Sequence, residues 1–177
     1  MEREPKVPPA ISLRQVELSD VDDVMEWMSD AEAMRYTGFE AITTREEALD
    51  YLKTTVLPHP WHRAICLGGK PVGFVAVKPR LGLHRCRAEV SFSVARGYWG
   101  RGIATVAVEM AGAAVFDEWP HLERLDALTA VENRASQRTL EKAGFCREVV
   151  HRKYGVLDGK VRDVVRREPW KENILPL

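Results

Sequence analysis

Cysteine is scarce and scattered in this sequence: Cys66, Cys86 and Cys146 show no C-x-x-C spacing and no Cys/His run suited to zinc. A disulfide scaffold and a structural metal are therefore not expected. Long apolar runs are missing too, since the longest, Met110 to Phe116, falls far short of a bilayer crossing. Net charge is absent, with 26 Lys+Arg against 26 Asp+Glu. Broad capture of nucleic acid or an anionic membrane draws on clustered cations that release counterions, so neither is expected as an obligatory partner. The opening Met1-Glu2-Arg3-Glu4-Pro5 lacks the apolar core of a signal peptide, and its acids argue against a transit peptide. These absences point to a reduced cytoplasmic setting, with the nucleus also compatible.

The chain has 177 residues, of which 45% are hydrophobic and 29% charged, the makeup of one globular domain. A fold of this length buries roughly 70% of the surface its unfolded chain exposes, enough for a core without staples. Prolines 5, 8 and 9 lie in front and Pro169 and Pro176 behind, so residues 1–10 and 169–177 read as tails around a domain over 11–168.

Within that domain Ile11 to Gln15 alternates like a strand, and Ser19 with Asp22 gives a capping signal before Val21, Val24, Met25 and Met28. Thr44 and Glu47 repeat the signal before a second helix that ends ahead of Pro58. Arg63 to Leu67, Val72 to Val77 and Arg87 to Val94 read as successive antiparallel strands. After Gly102, the residues Ile103, Ala107, Met110 and Ala114 recur at helical spacing up to Pro120. Leu125 to Val131 is a strand, Ser136 to Ala143 a helix closed by Gly144, and two final strands flank the turn Leu157-Asp158-Gly159. The fold class is mixed α/β: about four helices and a mostly antiparallel sheet of about seven strands.

Chemistry concentrates in Arg96-Gly-Tyr-Trp-Gly100-Arg101-Gly102-Ile103-Ala104-Thr105, a glycine-rich turn between a strand and a helix. Free N–H groups at a helix start, together with the positive end of the macrodipole, make a cradle for phosphate, and Arg101 can add a charged contact. Gly97 and Gly102 have P-loop spacing, but Ile103-Ala104 stands where Lys-Ser/Thr would bind phosphate and Mg²⁺, so an NTPase is disfavoured. Gly100-Arg101-Gly102 begins a dinucleotide fingerprint, yet Thr105 holds the third glycine position and the strands before it look antiparallel.

The segment Trp99-Gly-Arg-Gly-Ile-Ala104 resembles the Gln/Arg-x-x-Gly-x-Gly/Ala signature of the GNAT N-acetyltransferase superfamily, with Trp99 in place of the first residue. Asn133-x-x-Ser136 and Glu141-Lys-Ala-Gly144-Phe145 are similar to segments of the branch that includes the ribosomal-protein-alanine acetyltransferases. The resemblance implies acetyl-coenzyme A as co-substrate, no metal, and direct transfer of the acetyl group to a primary amine. A protein N-terminal α-amine is favoured, with lysine or a small amine as the other options, in a monomer or homodimer. It also implies a splayed pair formed by Arg87–Val94 and Leu125–Val131, with the cofactor between them. Gly100, Arg101, Gly102, Ile103, Ala104 and Thr105 would hold the pyrophosphate, and backbone near Phe92, Ser93 and Val94 the pantetheine and thioester carbonyl.

Asn133 and Ser136 would touch pantetheine, phosphate or sulfur; plain helix capping is their other reading. Glu89 shares a strand face with Ser91 and Ser93 and is the candidate general base, against a strand glutamate simply paired with Arg87 or another cation. Tyr154 is the candidate to protonate the departing thiolate, against ordinary packing. The rival for the whole chain is a catalytically silent acyl-coenzyme A module acting through a protein partner. The five histidines are expected to be solvated or structural, and Arg162, Arg166 and Arg167 to form a solvated basic strand.

Overall fold

A computed structural model describes residues 10–169, so the two tails, apart from Ala10 and Pro169, lie outside the described residues. Seven strands form one sheet in the order β1-β2-β3-β4-β5-β7-β6. They are β1 (Ile11–Gln15), β2 (His62–Leu67), β3 (Lys70–Pro79), β4 (Arg87–Val94), β5 (Arg124–Ala130), β6 (Cys146–Leu157) and β7 (Lys160–Glu168). Among the described residues five α-helices accompany them: α1 (Val21–Met28), α2 (Ala31–Met34), α3 (Arg45–Tyr51), α4 (Ile103–Glu118) and α5 (Arg134–Lys142). The mixed α/β class and the mostly antiparallel sheet are those expected from the sequence; the helix count is five because α2, a single turn, carries too little periodicity to read.

Local chemistry fixes most boundaries. The Thr44–Glu47 capping box forms as expected, with the Glu47 N–H donating to Thr44 Oγ1 at 3.2 Å and the Thr44 N–H to Glu47 Oε2 at 3.1 Å. The first box falls elsewhere than at Ser19 and Asp22. Asp20 instead accepts the Glu17 N–H at 2.8 Å and a two-pronged bond from Arg14 at 2.7 and 2.8 Å. Arg14's bond holds the Asp20 carboxyl below its usual range, so this buried acid ties β1 to the start of α1.

The central strands are buried on both faces. Val75, Val77, Val90 and Val94 pack with Ile103, Ala107, Val108 and Val115 of α4 on one side, and Ala64, Phe74 and Ala76 pack with Val24, Trp27, Ala48 and Leu52 on the other. On α4 the buried face includes Val108, Ala111 and Val115, while Met110 is exposed, a correction of the expected stripe. The helix is apolar nearly all round, so periodicity could not select its inward face. Two arginines of the expected solvated strand are in fact buried: Arg162 pairs with Glu132 at 3.3 Å and Arg167 with Glu141 at 2.6 Å. Among the described residues no helix is long and apolar enough to cross a membrane.

Two features position the site. First, β4 and β5 run parallel and pair only at Arg87 with Arg124, Ala88 with Leu125 and Glu89 with Asp126. Beyond that point β4 stays on β3 and β5 stays on β7, so the sheet splays open between them. Second, Gly73 on β3 lies against β4 so closely that a Cβ there would sit 2.2 Å from the Ser93 carbonyl oxygen and 2.8 Å from Val94 Cα. Only glycine permits that approach.

Candidate functional site

The splay opens into a cleft of about 810 Å³. Where the β4–β5 seam ends stands an ion-pair cluster. Asp126, buried at the last paired position, accepts from Arg87 at 2.7 Å and from Arg124 at 2.6 Å, and Arg124 also reaches Glu148 and, at 2.6 Å, Glu168. Asp126, Glu148 and Glu168 come close enough together to suggest a cation site, and the cation they surround is the Arg124 guanidinium.

At the open end, Gly100 and Gly102 both take φ of 75°, the left-handed region that glycine tolerates, and Gly102 is the residue from which α4 starts. With no side chain to cap it, α4 leaves the N–H groups of its first turn, at Ile103, Ala104 and Thr105, directed at the cleft mouth. The Ile103 side chain itself is buried in the core, so this residue offers backbone alone. Arg101 bonds the Gly97 carbonyl at 3.2 Å and lies over the Tyr98 ring at 5.3 Å. The Trp99 indole N–H donates to the Val94 carbonyl at 2.6 Å, tying the glycine loop to the end of β4. Val94's peptide groups therefore face away from β3, and strand alternation turns those of Phe92 the same way, toward the gap that β5 has left.

Across the mouth, Asn133 caps α5 by accepting the Ser136 N–H at 3.2 Å. The capping use of Asn133 is real, yet it occupies only Oδ1; Asn133 and Ser136 both line the cleft. Arg134, Arg138 and Lys142 follow at four-residue intervals along α5 and also line it. None of these three, nor Arg101, has an acid partner among the described residues, whereas the acids of the cleft, Glu32, Glu89 and Glu132, are each paired with an arginine. The four-residue interval of α5 was available in the sequence and marks residues that motif matching passed over.

The remaining expected residues separate. Phe92, Ser93 and Val94 line the cleft with Glu89, whose partner is Arg80 rather than Arg87. Tyr154 does not reach it: the ring is exposed on β6 beside His151, with centroids 5.5 Å apart. Instead the front half supplies Tyr36, Phe39, Tyr51, His59, His62 and Phe74. His62 is thus part of the cleft wall, and only tertiary contact reveals it. Its ring stacks on Phe74 at 5.0 Å, its Nδ1 is sealed without a partner, and burial lowers its pKa to about 4.

A free helix N-terminus, four unpaired cations and a narrow slot with unpaired strand edges fit a long, thin anionic ligand. Known proteins agree with this geometry. The chain is 28% identical over 160 residues, 85% of its length and 88% of the relative's, to the uncharacterized N-acetyltransferase YoaA of Bacillus subtilis. Its fold matches the spermidine N-acetyltransferase of Vibrio cholerae solved with coenzyme A and spermine, at TM-score 0.79 and 21% identity over 94% of this chain and 98% of that one. It also matches RimL, a ribosomal L7/L12 α-N-protein acetyltransferase solved with coenzyme A, at TM-score 0.80 and 17% identity over 96% and 98%. The family model described as an acetyltransferase (GNAT) domain covers residues 11–146, and the chain belongs to that family of acetyltransferases.

Proposed function

We propose that the protein transfers the acetyl group of acetyl-coenzyme A to a primary amine by direct attack, with a peptide α-amine favoured over lysine and small amines. The observation that carries this reading is the gap between β4 and β5 leading from the bare N-terminus of α4 to Glu89. Acetyl-coenzyme A supplies the thioester. The first-turn N–H groups of α4, with Arg101, hold the pyrophosphate; Asn133 and Ser136 line the path of the pantetheine arm. The N–H groups of Phe92 and Val94 polarise the thioester carbonyl where negative charge develops.

Glu89, oriented by Arg80, takes the proton of the attacking amine directly or through water. As the carbon–nitrogen bond forms the carbon–sulfur bond breaks, and the departing coenzyme A thiolate takes up that proton from Glu89 or its water to leave as the thiol. At pH 7 freeing a lysine amine costs about 4.6 kcal/mol from a pKa near ~10.4, against roughly 1 kcal/mol for an α-amine near ~7.7. A carboxylate working at the edge of a cleft suits the second task better.

Thiol release from acetyl-coenzyme A across N-terminal peptides, lysine peptides and small amines tests the reading. Glu89→Gln should lower kcat roughly a hundredfold with the best acceptor. An unchanged rate above pH 7 would remove Glu89 from the mechanism.

A further inference from the structure

The acceptor end of the cleft is walled by rings and is electrically balanced. Tyr36, Phe39, Tyr51, His62 and Phe74 line it, contributed by α3, β2, β3 and the loop after α2. The carboxylates along the cleft are neutralised by Arg35 on Glu32 at 3.5 Å, Arg80 on Glu89, and Arg162 on Glu132 at 3.3 Å.

A ring cage can attract an ammonium through its faces, but here two guanidinium groups already lie over Tyr36 and repel a further cation, and the remaining rings are paired with one another. Arg35 and Arg162 lie over Tyr36 at 5.4 and 5.7 Å. His62 and Phe74 stack nearly parallel, at 21°, and Phe39 meets Tyr51 edge to face at 6.0 Å. His62 also reports on the local field. Burial, with His59 and Arg63 adding to it, keeps its ring neutral, so the place resists positive charge. Burial likewise pushes the Tyr51 hydroxyl up and keeps it un-ionised.

We propose that the acceptor is a primary amine with no second positive charge, carrying an aromatic or branched apolar group that packs on the Phe74–His62 and Phe39–Tyr51 ring pairs. This deepens the acetyl-transfer reading and rests on it. A polyamine would bring further ammonium groups to a wall whose carboxylates, among the described residues, each already have an arginine partner. An apolar group would instead find rings from which water is already partly excluded.

The test is acetyl-coenzyme A thiol release by the full chain with five acceptors: otherwise identical peptides beginning with Phe, Leu or Gly, phenethylamine, and spermidine. The expected result is a kcat/KM for the Phe peptide or phenethylamine that exceeds that for spermidine roughly tenfold or more. Use of the peptide alone places the ring on a protein N-terminus, and use of phenethylamine alone places it on a small amine. Phe39→Ala, a change at a half-exposed ring, should narrow the Phe-to-Gly peptide ratio by roughly tenfold. Spermidine matching the aromatic acceptors, or an unchanged ratio in Phe39→Ala, overturns the proposal while leaving acetyl transfer standing. Thiol release from none of the five, nor from a lysine peptide run beside them, would overturn the acetyl-transfer reading itself.

Discussion

Replacing His62 with phenylalanine should remove an acid sensitivity built into β2. Phenylalanine keeps a flat ring against Phe74 and loses both nitrogens, so stacking survives and titration does not. Burial lowers the His62 pKa from 6.5 to about 4. With the folded value below the unfolded one, the unfolded chain takes up the proton first as the medium becomes acidic. The stability carried by the neutral ring is therefore whole above about pH 6.5, and it drains away as the pH falls toward 4. At ~1.36 kcal/mol per pH unit the full gap amounts to about 3 kcal/mol, most of which is lost by pH 4.5. Urea unfolding of both proteins at pH 7 and pH 4.5 reads the effect directly. Asp20, whose carboxyl Arg14 holds low, also loses its contribution as the pH falls, but it does so in both proteins and cancels in the comparison. Wild type should lose roughly 2–3 kcal/mol more than His62→Phe; equal losses would show that the imidazole is solvated and the argument from burial wrong.

Two other perturbations probe the rest of the site. Gly73→Ala puts a methyl group 2.2 Å from a backbone oxygen, so β3 and β4 must separate. We expect a loss of about 1–3 kcal/mol in thermal unfolding together with weaker acetyl-coenzyme A binding by calorimetry, and wild-type values for both would show slack in that pair. The double change Arg138→Gln with Lys142→Gln should weaken coenzyme A binding roughly tenfold at low salt and flatten its salt dependence; an unaltered salt response would place the phosphates elsewhere.

What the sequence made legible follows from how local each signal is. Thr44 and Glu47 cap within three residues, Gly100 and Gly102 announce a left-handed turn, and Asp158-Gly159 a hairpin, because each depends on its own backbone alone. The half of the cleft proposed to hold the cofactor lies on such signals. The ring wall does not: Tyr36 and Phe39 from the loop after α2, Tyr51 from α3, His62 from β2 and Phe74 from β3 meet only through the register of β2 on β3 and the packing of α3. Arg162 and Arg167 misled for a related reason. A run of arginines looks solvated until β7 is known to lie between β5 and β6, where Glu132 and Glu141 can reach it. Tyr154 failed through geometry of another sort, since Lys153 at φ 49° and a register break between His151 and Gly155 bend β6 just where the tyrosine sits.

The three residue pairs joining β4 to β5 make the seven strands, mechanically, two sheets sharing a short seam. Four strands stand on one side and three on the other, and past Glu89 the hydrogen bonds that would close a continuous sheet are not made. A ligand that threads the slot and bonds to both margins completes the sheet as an eighth strand would. Its binding free energy then adds to the cohesion of the two halves, and the fold should resist unfolding in proportion to how fully the slot is filled.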